Sequence, residues 1–448
     1  MLSSLTIAIV VVFVLGYLCI ALESVTKINK AAVALFMFVV VWTLYMLNPG
    51  AYVPGLEGTE LLNKVNEIIQ THLGDTSTTL FFLMGAMTIV EIVDQNGGFN
   101  FVRNALRTKS KRALLWRIAF LTFFLSAVLD NMTTTIVMIM VLRKLVADHK
   151  DRLFYASLVV IAANSGGAFS PIGDVTTIML WNKGLITAAG VIKEVLLPSI
   201  ISMVIPTLLI GTQLKGELQV ADNSATADAA LDFSELQRRA IFVLGVGGLV
   251  FVPIFRYLTN LPPFVGILLV LSILWITTEV FYRTTRRKAQ KDGMSKRVSN
   301  ILHRIDMSTI LFFLGILMAV SCLEEVGVLS MLGQWLNDVS GGNHYMVTGS
   351  IGVISSIVDN VPLVAACMGM YPLAAVGDFA VDGIFWQLLA YCAGVGGSML
   401  IIGSAAGVVA MGLEKISFGW YMKRISWIAF VGYVAGIGSY WVLRIFIF

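Results

Sequence analysis

The chain has 448 residues, 57% of them hydrophobic and only 13% charged, with a mean hydropathy of +0.85. Soluble domains carry about 25% charged residues, so soluble globular and disordered classes are excluded, and 40 Gly and 10 Pro without a period exclude collagen-like chains. The net charge of +4 comes from basic residues in loops between apolar runs, which is the pattern of a polytopic membrane protein and not of a nucleic-acid binder.

A membrane span needs about 20 apolar residues. In chain order, such windows fall at 5–22, 31–47, 76–94, 155–181, 190–212, 240–256, 264–282, 307–325, 384–412 and 425–445. The first is read as a span and not a signal peptide, because Met1-Leu-Ser-Ser has no basic n-region. Two further apolar stretches, 113–146 and 345–377, are interrupted at their centres by Asp130-Asn131 and Asp359-Asn360, and read as re-entrant hairpins. The polar stretch 214–239 reads as a cytoplasmic linker between a first unit, 1–213, and a second, 240–448.

Positive charge sets orientation. Segment 283–304 carries eight Lys/Arg and segment 101–117 six, whereas 326–377 carries none. With the basic segments inside, hairpin 113–146 enters from the cytoplasm and hairpin 345–377 from outside, and both termini lie outside.

The two units also repeat one another. LFFLMGAM (80–87) resembles LFFLGILM (311–318), and LSAVLDNMTTTIVM (125–138) resembles ISSIVDNVPLVAAC (354–367). Gly166-Gly167 and Gly173 recur as Gly396-Gly397 and Gly403, all at offsets of 229 to 231. Five spans per unit is an odd number, so corresponding loops face opposite sides. The expected fold is an all-α polytopic membrane protein built from two inverted-topology repeats, each with a re-entrant hairpin and a broken transmembrane helix.

A carboxylate at membrane depth costs at least about 2.5–3.5 kcal/mol, so Asp130 and Asp359 call for a cation or proton at the hairpin tips. Each also suits the N-cap of its second helix. Asn164-Ser165-Gly166-Gly167-Ala168-Phe169-Ser170-Pro171-Ile172-Gly173-Asp174 breaks a span, freeing carbonyls and leaving Asp174, Thr176 and Thr177 at a half-helix start. Its counterpart puts Gly394 opposite Asn164 and Ser404 opposite Asp174, with Ser398 between. Small residues also serve close helix packing, which accounts for the glycines but not for Asp174. Glu91, near the end of its span, suits either a proton relay or a membrane interface. Glu324 and Glu325 read as boundary charges. The four cysteines lie in apolar runs and the four histidines are scattered, so neither a disulfide framework nor a zinc site is expected.

LDNMTTT, ANSGGAFSPIGDVTT and GVGGSMLIIGSAAG resemble the signatures of NhaD-type sodium/proton antiporters, in the ion transporter superfamily that also holds INDY-type dicarboxylate and arsenite transporters. The resemblance runs through the whole chain. It implies a secondary transporter, not an enzyme, exchanging Na⁺ or Li⁺ for H⁺ by alternating, elevator-like access at alkaline pH, in a bacterial inner membrane and as a homodimer. It implies no cofactor, the ions being substrates, and no partners beyond them, membrane lipid and a second copy. The matching site positions are Asp130, Asn131, Thr133, Asn164, Asp174, Thr176, Thr177, Asp359, Asn360, Ser398 and Ser404, with Glu91 an acidic position of the same family. Na⁺ would be held by Asp130, Asp174 and Asp359. The alternative is a superfamily member carrying a dicarboxylate or other anion, although such members have Ser-Asn-Thr at the hairpin tips. An intramembrane aspartyl protease would need Gly at Pro171.

Overall fold

The computed structural model describes residues 3–21, 27–98, 106, 108–214, 216, 218, 233–285, 301–357 and 360–446, and it is all-helical, with no strand among them. Asp359, most of linker 214–239 and most of basic segment 283–304 lie outside the described residues.

The first unit opens with α1 (Ser4–Ala21), α2 (Lys30–Met46) and a long α3 (Gly58–Gln95). The sequence places this third span at 76–94, but the helix already starts at Gly58 and runs through the largely polar residues 58–75, which hydropathy does not register. Stretch 113–146 forms α4 (Lys111–Leu129) and α5 (Asn131–Leu145), broken at Asp130. Span 155–181 divides into α6 (His149–Ala168) and α7 (Val175–Asn182), and α8 (Ala188–Gly211) follows.

The second unit contains α9 (Glu235–Thr259), α10 (Pro263–Thr285) and α11 (Met307–Glu325). Residues 235–239, assigned to the linker from sequence, begin α9 behind a Ser234–Gln237 capping box. Where no span was expected, α12 (Val328–Ser340) forms an amphipathic helix burying Leu329 and Gly333. Then come α13 (His344–Ser355), α14 (Asn360–Met370), α15 (Ile384–Gly396) and α16 (Ala405–Glu414). The last helix, α17 (Phe418–Phe446), has a π-helical turn at Met422–Ser426. Among the described residues, seven helices are long and apolar enough to cross a membrane, while α1 and α2 are shorter apolar helices.

The packing runs in matched pairs. α1 lies on α2 as α9 lies on α10, and α2 packs on α11 as α10 packs on α3. α4 packs on α6 as α13 packs on α15, and α5 meets α16 as α14 meets α7. The last helices of the two units, α8 and α17, cross closely: Gly432 sits against Pro206 and the Ser202 carbonyl, and Gly436 against the Pro198 carbonyl. Backbones can approach this far only where no Cβ intervenes.

Candidate functional site

Glycine brings each hairpin against its broken helix. A Cβ on Gly166 would lie 2.1 Å from the Phe123 carbonyl oxygen of α4, and one on Gly396 would lie 2.2 Å from that of Gly352 in α13. Gly173 lies against the Ser126 carbonyl and Gly403 against that of Ser356. Serine hydroxyls reinforce both contacts: Ser126 donates to the Ala163 carbonyl at 2.6 Å, and Ser355 to that of Ala393 at 2.9 Å.

These contacts gather the starts of four half-helices. Asp130 caps α5, Asp174 caps α7, Ser404 caps α16, and Asn360 opens α14. Asp174, only 2% exposed, is the hub. Its carboxylate accepts from the Thr176 amide at 3.2 Å, from Asn131 Nδ2 at 3.2 Å and from Asn360 Nδ2 at 3.3 and 3.4 Å. Its backbone carbonyl accepts from Thr177 Oγ1 at 2.9 Å. Asn164, fully buried, joins the units: its Nδ2 donates to Ser398 Oγ at 3.0 Å and Ser404 Oγ at 2.9 Å, while its Oδ1 accepts from Asn131 at 3.1 Å. Gly394 leaves room for this junction, its missing Cβ falling 3.0 Å from Ala168 Cβ. The Tyr421 hydroxyl donates to the Ser398 carbonyl at 2.8 Å and pins the second break from behind.

Asp130 sits beside this network and turns to its own helix, accepting from Thr133 N at 2.8 Å and Thr133 Oγ1 at 2.7 Å. Its backbone, at φ 73° and ψ 158°, is one that L residues rarely adopt and that costs on the order of 1–3 kcal/mol. The Thr176 hydroxyl is buried without a hydrogen-bond partner among the described residues, as is that of Thr134. A buried orphan hydroxyl costs about 1–3 kcal/mol, so each is an oxygen available to a bound species.

Asp359 aside, which lies outside the described residues, the site residues expected from sequence fall into three groups. Asn131, Asn164, Asp174, Asn360, Ser398 and Ser404 are joined by hydrogen bonds, with Thr176 and Thr177 in the same turn. Asp130 and Thr133 stand alongside at the hairpin tip. Glu91 lies elsewhere, accepting from Gln95 at 2.9 Å on α3, whose neighbouring Val93 packs against Gly245 of α9.

Two buried carboxylates went unnoticed in the sequence. Glu414, 2% exposed, closes α16 and receives Arg143 Nε at 2.7 Å and Arg152 Nε at 3.0 Å. Glu194 of α8 accepts from the Tyr440 hydroxyl at 2.9 Å and pairs with Arg444 at 2.9 Å. Their only sequence signal was a charge within or at the edge of an apolar span.

Apolar spans enclosing an amide- and hydroxyl-lined carboxylate between broken helices make this a multi-pass membrane protein with a buried polar site. A profile of the citrate transporter family matches residues 6–389. Sodium/proton antiporter 2 of Arabidopsis thaliana is 42% identical over 428 residues, covering 96% of this chain and 97% of that protein. Sodium/proton antiporter 1 of the same plant is 44% identical over 435 residues, covering 97% of this chain and 72% of its own length. The Na(+)/H(+) antiporter NhaD of Vibrio cholerae is 27% identical over 470 residues, with 97% and 91% covered. Among solved structures, the YdaH transporter of Alcanivorax borkumensis aligns with a TM-score of 0.61 at 14% identity, covering 92% of this chain and 98% of that one, a likeness of fold alone. The chain belongs to the citrate transporter family of the ion transporter superfamily.

Proposed function

We propose that the chain exchanges Na⁺ or Li⁺ for H⁺ at the junction of the four half-helices. The observation that carries this reading is the chemistry of the junction. A buried carboxylate, Asp174, is set among Asn, Ser and Thr side chains from both units, with the Thr176 hydroxyl beside it unsatisfied. Hard alkali cations take such oxygen ligands, and the named antiporters of Arabidopsis and Vibrio support the choice of ion.

In this reading Asp130 and Asp359 bind cation and proton competitively, Asp174 shares that role, and Asn131, Asn164, Thr133, Thr176, Thr177, Asn360, Ser398 and Ser404 complete the shell. Either ligand offsets the site's negative charge enough for the loaded form to cross. The empty site is held back by its uncompensated charge, and exchange is then obligatory. Glu91, outside the cluster, serves as a relay on its own helix.

The matched helix pairs and the parallel glycine contacts support two inverted five-span repeats, spanning 1–213 and 240–448, with re-entrant hairpins and elevator-like access. A homodimer in lipid with both termini outside completes the assignment. The relatives named as antiporters come from a plant as well as from a bacterium.

One observation favours a second reading. Four helix N-termini converge here, and such ends attract anions, which suits a dicarboxylate substrate and the family's citrate name.

The deciding experiment is dissipation of a pH gradient in everted vesicles from cells lacking their own antiporters. A response to Na⁺ and Li⁺ but not to K⁺ or succinate supports cation exchange. A response to succinate or citrate alone overturns it in favour of the anion.

A further inference from the structure

A cavity of about 280 Å³ lies between α3, α7, α11 and α14, lined in part by His72, Asp75, Asn182, Lys183, Glu324 and Tyr371. Two of its walls, α7 and α14, begin at the polar cluster with Asp174 and Asn360. α7 is only eight residues long, so about 12 Å separates its two ends. One end carries the site carboxylate and the other borders the cavity.

That far end is tied down from outside the cluster. Lys183 pairs with Asp75 of α3, and Asn182 Nδ2 donates to Thr79 Oγ1 at 3.4 Å. Arg256 of α9 donates to the Trp181 carbonyl at 2.7 Å, with its guanidinium 4.7 Å from the Trp181 ring centroid. A cation at a helix C-terminus complements the helix dipole. Across the cavity, His72 of α3 meets Glu325 of α11 at 2.8 Å. Lys111, Asp151, Arg143, Arg152 and Glu414 gather at the starts of α4 and α6 and the ends of α5 and α16, at the opposite end of the α6–α7 run.

We infer that this cavity is the mouth through which cations reach the cluster from the face opposite the basic segments, and that the Asp75–Lys183 pair is the strut holding α7 to α3 while the mouth is open. The inference rests on the alternating-access reading above. A short rigid helix cannot shift its first residue without shifting its last, so displacing Asp174 requires the strut to part. The pair is about half exposed on both sides, at 47% and 49%. Exposed pairs are weak, as a tie broken in every cycle must be.

The test places a reporter cysteine on the cavity wall, Ala365→Cys, in a chain whose Cys19, Cys322, Cys367 and Cys392 are replaced by Ser. A membrane-impermeant maleimide is applied to right-side-out and to everted vesicles. Labelling is expected from the face opposite the basic segments. Asp75→Asn and Lys183→Gln should each slow it about two- to fivefold, the span of an exposed pair. The reversed pair, Asp75→Lys with Lys183→Asp, should bring the rate back. Labelling only from the basic face overturns the mouth, and parental rates in both single variants overturn the strut. A second measurement keeps the native cysteines: hydrogen–deuterium exchange over 175–184 rises in both variants if the strut holds α7, and unchanged exchange overturns it. Neither readout uses Na⁺. A chain that labels as expected yet does not respond to Na⁺ leaves the mouth in place and overturns the exchange reading instead.

Discussion

Asn164→Ala removes the side chain through which the first unit holds both polar groups of the second break. Three hydrogen bonds disappear: two donated to Ser398 and Ser404, and one accepted from Asn131. At about 0.5–1.5 kcal/mol each, the total spans roughly 1.5–4.5 kcal/mol. Two of the deserted groups keep other partners, since Asn131 still donates to Asp174 and Ser404 still accepts from the Gly407 amide. That places the cost at about 2–3 kcal/mol, equivalent to roughly 30- to 150-fold in an equilibrium constant. With part of this spent on overall stability, the Na⁺ concentration for half-maximal gradient dissipation should rise at least about tenfold. The control is Ser165→Ala, one residue on, whose hydroxyl is bonded by Ser202 and not by the cluster. It should leave half-saturation within about twofold. Equal half-saturation in Asn164→Ala and the parent, with both proteins folded in detergent, would refute the claim that the amide holds the ion-bearing arrangement.

Asp130→Asn and Asp359→Asn should each abolish exchange while leaving membrane expression intact; parental exchange in both would sink the assignment of the hairpin tips. Glu414→Gln leaves two arginines facing one neutral amide. It should lower stability by about 2–3 kcal/mol, the lower end because Arg143 is 46% exposed, as read by thermal unfolding in detergent. Gly166→Ala and Gly396→Ala would drive a methyl into a backbone carbonyl, at a cost of about 1–3 kcal/mol and with loss of exchange. Gly412→Ala, where a Cβ meets nothing within 4 Å, should be silent, and equal tolerance at all three positions would contradict the close approach.

How much of this was legible in the sequence depended on how local the cause was. The break at Asp130 and the break across Gly166–Gly173 were visible because Asp caps, Gly and Pro act on the backbone where they stand. The N-terminal half of α3 and all of α12 were not. Residues 58–75 are polar, and α12 is a 13-residue amphipathic helix, so neither raises a hydropathy window. Glu414 and Glu194 were missed because their partners, Arg143, Arg152, Tyr440 and Arg444, lie 246 to 271 residues away in sequence.

From its residues alone the chain was bound to be a polytopic membrane protein with interrupted spans. Its apolar excess has to leave water, and carboxylates in the middle of apolar stretches have to be buried in protein, where alone the backbone can break at membrane depth. Only the tertiary structure decided which polar groups meet. It brought Asn164 to Ser398 and Ser404, and Asn131 and Asn360 to the Asp174 carboxylate, and it left Glu91 on a separate helix face. Side-chain hydrogen bonds form over about 3 Å, whereas these partners are 43 to 240 residues apart. That distance is closed by backbone contact at glycines whose meaning is set by the helix packed against them.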